Sequence, residues 1–268
     1  LSLNVPGTGN GRIARPGAVE TWGFAAKKGQ RLLVEIQARK FGSPLDSYIE
    51  ILDAKGQPLQ QATLRCSAKT YVTFRDHDSV NTAIRIEQWA DLAIHDYIYV
   101  GNELLRIHEL PKNPDDNCVF VNAGGQRIGF LGTTPTHLAM NLPMYKVAIH
   151  PPGATFPPNG LPVIPIYYRN DDGGPGYGKD SRLFFDPPVD GSYLVRVGDS
   201  RGEGGAAFSY RLTIRPPRPS FSVQFSPTSP TVWKGGALPI GVSAERTDGF
   251  EGEIALKLEN LPPGYSAP

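Results

Sequence analysis

The chain has 268 residues, enough for one large domain or two to three small ones, each with its own core. Lysine and arginine number 27 against 26 acidic residues, a net charge of +1, and the basic residues form no long run, which removes the global electrostatic drive for binding nucleic acid. The apolar stretches are short, as in Leu161–Tyr168, where Pro162 and Pro165 interrupt, and all fall far below the roughly 20 residues of a membrane span.

With 30 glycines and 26 prolines beside 12 phenylalanines and 11 tyrosines, the composition describes many short strands joined by turns. Leu32 to Arg39 alternates apolar and polar positions as a half-buried strand does, and Tyr48 to Asp53 follows as a second strand, stopped by Ala54-Lys55-Gly56. Between residues 63 and 169, Asp96 to Ile107 reads as two short strands around Gly101-Asn102. Gly129 to Thr134 then leads to another strand at Met144 to Ile149. Tyr193 to Val197 and Phe208 to Arg215 alternate most cleanly of all. Only Glu87 to Ala93 has room for a short helix, so the fold class is all-β.

Pro216-Pro217-Arg218-Pro219 is stiff and poor in donors, and it reads as a linker with a boundary near residue 217. Beyond it Leu238, Ile240, Val242 and Ala244 alternate, Thr247-Asp248-Gly249 turns, and Ile254, Leu256 and Leu258 alternate again. About 50 residues provide fewer strands than the seven or so of an immunoglobulin-like sandwich, so residues 217–268 are expected to form part of one.

Two blocks resemble the bacterial pre-peptidase C-terminal domain. One contains Glu20-Thr21-Trp22-Gly23-Phe24, Lys28-Gly29-Gln30-Arg31-Leu32-Leu33-Val34-Glu35 and Gly42-Ser43-Pro44-Leu45-Asp46-Ser47-Tyr48. The other contains Asn170-Asp171-Asp172, Lys179-Asp180-Ser181-Arg182-Leu183-Phe184-Phe185 and Asp190-Gly191-Ser192-Tyr193-Leu194-Val195-Arg196-Val197-Gly198-Asp199. The resemblance implies a jelly-roll-like β-sandwich from residues 1–62 and 170–216. Residues 63–169 are too long for a bare loop and are expected to form an inserted β-barrel or meander. It also implies an accessory module of a secreted, periplasmic or cell-surface protein, joined to further domains of the same parent chain. A chain that opens at Leu1 fits a segment whose targeting peptide lies outside it. The last residues, with Trp233-Lys234-Gly235-Gly236 and Asn260-Leu261-Pro262-Pro263-Gly264, look like the immunoglobulin-like repeats that stand beside such domains.

Candidate chemistry concentrates around residues 167–180. Asp171, Asp172 and Asp180, with Asp46 and Asp199 from the resembling blocks, offer the oxygen ligands that calcium takes, against the plainer reading that such carboxylates cap turns. Tyr167, Tyr168 and Tyr177 offer flat faces for sugar rings, and Gly173, Gly174, Gly176 and Gly178 allow close backbone approach. All five histidines, His77, His95, His108, His137 and His150, fall between residues 63 and 169; Asp76-His77-Asp78 offers metal ligands or an acid–base pair, yet no His-Glu-x-x-His pattern occurs and the five are scattered. No Gly-x-Ser-x-Gly elbow occurs, and Gly198-Asp199-Ser200 has no downstream histidine. Cys66 and Cys118 allow either a disulfide or two free thiols. The expected function is non-catalytic binding of a polysaccharide or extracellular protein. A structural spacer and a hydrolase centred on the histidine-bearing segment are the alternatives.

Overall fold

The computed structural model describes residues 1–75, 83–121, 141–173 and 177–266. Among them there is no α-helix: every regular element except one 3-10 turn, Arg39–Phe41, is a strand. Glu87–Ala93, the one stretch with room for a helix, turns instead, with Leu92 N–H donating to the Trp89 carbonyl. The chain divides into two compact units, Leu1–Arg218 and Pro219–Pro268.

In the first unit, strands β1 (Gly7–Arg12), β2 (Val19–Ala26), β3 (Leu32–Gln37) and β4 (Ser47–Leu52) open the chain. Next come β5 (Gln60–Arg75), β6 (Ala83–Ile86), β7 (Tyr97–Val100), β8 (Glu103–Glu109), β9 (Cys118–Val121), β10 (Pro143–His150) and β11 (Val163–Tyr167). The unit ends with β12 (Arg169–Asn170), β13 (Arg182–Phe185), β14 (Gly191–Asp199) and β15 (Ser209–Arg215).

The opening and closing groups build two antiparallel four-stranded sheets, ordered β1-β15-β3-β13 and β12-β4-β14-β2. Alternation decides what lies between them. Val34 and Ile36 of β3, Leu212 and Ile214 of β15, Ile49 and Ile51 of β4, Val195 and Val197 of β14, and Trp22 and Phe24 of β2 form one buried cluster. Phe185 stands at its centre, edge-on to Tyr168 at 5.1 Å and to Tyr193 at 4.9 Å between ring centroids. Each such side chain taken from water contributes roughly 1.5–3 kcal/mol.

The seven middle strands form one sheet, β10-β7-β8-β9-β6-β5-β11, in which β5 also pairs with β10. That extra pairing closes six strands into a barrel, with β11 lying along the outer edge of the long β5. Val72, Ile84, Ile98, Val100, Ile107, Phe120 and Met144 belong to one buried cluster, and Leu64, Cys66, Leu104, Val147 and Ile166 to a second. The chain enters and leaves this sheet at adjoining points. Tyr168 N–H donates to the Leu59 carbonyl at 3.1 Å, and Ile51 N–H to the Tyr168 carbonyl at 2.9 Å. A segment whose ends meet in this way leaves the sandwich's own strand pairing undisturbed.

The second unit contains an antiparallel pair, β16 (Ser220–Ser226) and β17 (Gly241–Thr247). Phe221, Val223 and Phe225 alternate with serine and glutamine, and all three remain exposed, as does Trp233. Of the alternating positions read from sequence, Val242 and Ala244 fall in β17. Leu238, Ile240, Ile254, Leu256 and Leu258 lie outside any strand, because period-two patterning forms a strand only where a neighbour supplies the ladder.

Candidate functional site

The acidic residues singled out from sequence line one end of the sandwich, and the carboxylates of Asp180 and Asp199 face backbone amides. Asp180 Oδ2 accepts from Ala38 N–H at 2.9 Å and from Arg39 N–H at 3.2 Å. The Asp199 carboxylate accepts from the amides of Asp46, Arg201 and Glu203. Asp46 itself takes the Arg39 guanidinium at 3.0 Å and the Ser200 hydroxyl at 2.7 Å. Asp171 and Asp172 are buried nearby, each with a polar or electrostatic partner, and the Asp171 carbonyl lies 3.5 Å from Ser181 Oγ. Among the described residues no group of three or more His, Cys, Asp or Glu is placed to hold a metal ion. The carboxylates of Asp46, Asp180 and Asp199 act as loop caps joining residues 38–47 to 180–181 and 199–203.

The three tyrosines do not share a face. Tyr167 ends β11, whereas Tyr168 lies between β11 and β12 and turns its ring into the sandwich core. Tyr168 corrects the sequence reading outright: its ring is 7% exposed in the sandwich core, and its hydroxyl donates to the Asp186 carbonyl at 3.1 Å. Burial pushes that phenol up to about 12. Tyr177 donates its hydroxyl to the Ile36 carbonyl at 2.5 Å, lies beneath the Arg182 guanidinium at 4.9 Å, and packs where any Cβ on Gly173 would stand. Burial raises its phenol well above the ordinary range, and the Glu35 carboxylate adds to the shift. Tyr167 is half-buried on β11, with the Arg169 guanidinium 5.1 Å from its ring centre. Gly178 takes φ 94°, which favours glycine, whereas Gly174 and Gly176 lie outside the described residues.

His77, His137 and the Asp76-His77-Asp78 run also lie outside them, as does Gly129–Thr134. The remaining histidines are dispersed. His95 sits in a turn at φ 75°, His108 is exposed on β8, and the His150 ring lies tilted against Phe156 at 4.6 Å. Cys66 and Cys118 are free and buried in different clusters, which corrects the disulfide alternative: one belongs to the Leu64–Val147 packing and the other to the Phe120–Met144 packing. Burial pushes their thiols up to about 11 and about 12, so both stay protonated.

A different region offers an open site. Strand β1 reads Gly7-Thr8-Gly9-Asn10-Gly11-Arg12, and its inward positions carry no side chains. A Cβ on Gly9 would stand 2.5 Å from the Trp22 ring, and one on Gly11 would stand 2.2 Å from Glu20 Oε2 and 2.4 Å from the Tyr210 ring. The strand therefore closes over a hydrogen-bonded chain. Trp22 Nε1 donates to the Tyr210 hydroxyl at 2.9 Å, Tyr210 donates to Glu20 Oε2 at 2.5 Å, and Arg12 N–H donates to the same oxygen at 3.0 Å. Burial raises the Tyr210 phenol well above its ordinary range, and the bond to Glu20 raises it further.

Outside this chain is an open groove of about 670 Å³, lined by Asn10, Gly11, Arg12, Glu20, Phe41, Tyr210 and Arg211 among others. Gly42, at φ 73°, ends the 3-10 turn and leaves Phe41 50% exposed at the groove's wall. The Arg211 guanidinium stacks on the Phe41 ring at 4.8 Å, and its Nε reaches Asn10 Oδ1 at 3.3 Å. Asn10 and Arg211 are cross-strand partners, as are Arg12 and Ser209, so all four stand on the outer face of one sheet. Sequence reading missed this site. The glycine alternation in β1 was its one local signal, and the pairing of residues 10–12 with 209–211 was not visible.

Further along the same outer face, Glu35 sits between Arg182 and Arg215, with its oxygens 3.5 Å and 3.2 Å from their Nε atoms. The other sheet repeats the device on β4, where Glu50 bonds both Arg169 and Arg196 from the adjacent strands. Among the described residues no helix is long and apolar enough to cross a membrane.

No family model matches the chain, and no curated protein matches it. Among solved structures it is similar to CorA, a surface-associated copper-binding protein important in copper acquisition by Methylomicrobium album BG8. The identity is 9% over 81% of this chain and 98% of that one, with a TM-score of 0.28, a likeness that carries no argument about fold or ligand.

Proposed function

We propose that the chain is a non-catalytic accessory module of an extracellular protein, holding a polysaccharide in the open groove beside β1 and β15. The observation that carries this reading is the half-exposed Phe41 ring, held at the groove wall by the Arg211 guanidinium and ringed by Asn10, Arg12 and Ser209. A flat aromatic face beside planar, polar donors and acceptors is what a sugar ring needs: its C–H face stacks and its hydroxyls bond at the edge. Asn10, Arg12, Ser209 and Arg211 stand on the paired strands β1 and β15, and Arg211 packs against Phe41, so these groups are positioned before a ligand arrives and little ordering entropy opposes binding. The resemblance of the two sequence blocks to the pre-peptidase C-terminal domain supports the extracellular setting.

The test is a glycan array, followed by titration of the responsive glycans with Phe41→Ala. Phe41 lies outside the buried clusters, so the variant should fold. Loss of about tenfold in affinity is expected from removing one stacking face and its desolvated contacts. Unaltered binding by this variant would move the site elsewhere.

A further inference from the structure

From the charges around this groove we infer that the polysaccharide is anionic, carrying carboxylate or sulfate groups; the inference rests on the binding reading above. The outer face of the sheet ordered β1-β15-β3-β13 carries Arg12, Arg211, Arg215 and Arg182 on three of its four strands. Their acidic neighbours are few and occupied. Glu35 lies between Arg182 and Arg215, and Glu20 is partly buried at the groove floor, accepting from Tyr210 and from the Arg12 amide. Asp180, at the margin of this face, is turned to the amides of Ala38 and Arg39. Among the described residues no carboxylate pairs with the guanidiniums of Arg12 or Arg211, and both side chains are exposed at the groove. The chain as a whole is almost neutral at +1, so this face holds a local excess of positive charge that its own carboxylates do not offset.

Arginine's planar donors match a carboxylate or sulfate in paired hydrogen bonds, whereas a neutral sugar would leave them facing water. The aromatic face of Phe41 beside them favours a pyranose ring over a bare inorganic anion. Arg211 can serve both ends of such a unit, stacking at Phe41 while its free edge meets the charge. Single-stranded nucleic acid presents a similar polyanion with stacking bases, and the experiment separates the two.

The experiment measures binding of the whole chain to polygalacturonate, to a sulfated galactan, to neutral galactan and to a single-stranded DNA oligonucleotide at low and raised salt. The expected result is binding to one or both anionic glycans that weakens with salt. The double variant Arg12→Gln with Arg211→Gln should lower that affinity about tenfold, as two exposed charge contacts imply, at an unchanged melting temperature. Neutral galactan bound as well as the anionic glycans, or anionic binding unmoved by the double variant, would overturn the inference while leaving polysaccharide binding standing. Binding of the oligonucleotide equal to that of the anionic glycans would overturn it as a glycan preference. Binding to none of the glycans would overturn both readings.

Discussion

The Tyr210 hydroxyl lies 2.5 Å from Glu20 Oε2, joining β15 of one sheet to β2 of the other, and it also accepts the Trp22 indole N–H at 2.9 Å. A single phenol thus partners a buried indole N–H and a partly buried carboxylate at the edge of the core. Tyr210→Phe keeps the ring and removes the oxygen, leaving the indole N–H without its acceptor. Chemical denaturation should show a loss of about 1–3 kcal/mol; an unchanged midpoint would mean the bond contributes nothing net.

Gly11 provides a sharper steric test. Its missing Cβ is what allows the Glu20 carboxylate and Tyr210 ring to lie against β1, so Gly11→Ala should destabilise by about 1–3 kcal/mol. Gly191, in β14, meets nothing within 4 Å of a built Cβ. Gly191→Ala is the matched control and should be near neutral in the same urea titration.

Glu50 is 2% exposed between Arg169 and Arg196. Removing its charge leaves two guanidiniums facing each other without a counter-ion, so Glu50→Ala should cost about 2–4 kcal/mol, somewhat reduced because both arginines keep partial contact with water. Removing Arg169 alone leaves Glu50 its second partner, and Arg169→Ala should be the milder of the two.

The raised phenols of Tyr168, Tyr177 and Tyr210 set the alkaline limit of stability. In the unfolded chain these groups release protons near the ordinary value of about 10, while the folded state holds them. The folded state therefore binds more protons above that pH, so the phenols' contribution to stability is fully present below about pH 10 and declines as pH rises beyond it. Urea midpoints measured at about pH 9 and about pH 11 should show this fall, and Tyr210→Phe should make it shallower.

Thiol and metal chemistry are tested together by simple titrations. Native protein should react negligibly with a thiol reagent near neutral pH, and two thiols should appear on unfolding without reductant; a missing pair would restore the disulfide. Because Asp180 and Asp199 already accept backbone amides, millimolar calcium after chelation should leave the melting temperature unchanged. A rise that Asp171→Ala with Asp172→Ala abolishes would place a metal at that loop.

The local elements are legible in the sequence. Alternation at Leu32–Arg39, Tyr193–Val197 and Phe208–Arg215 corresponds to β3, β14 and β15, because a strand buried on one face must repeat every two residues. The paired strands about Gly101-Asn102 are β7 and β8 for the same reason, with a turn at positive φ between them. Tertiary structure alone decided which surfaces face outward together. Tyr168 and Phe41 are both aromatic, yet one lies in the core and the other at a groove, and no local pattern separates them. Arg12 and Arg211 are about two hundred positions apart in a chain of almost balanced charge, and only the register of β1 against β15 places them on one face. That register follows from packing across two sheets, where Gly9 and Gly11 yield space to Trp22, Glu20 and Tyr210, a relationship among distant residues that no short window of sequence contains.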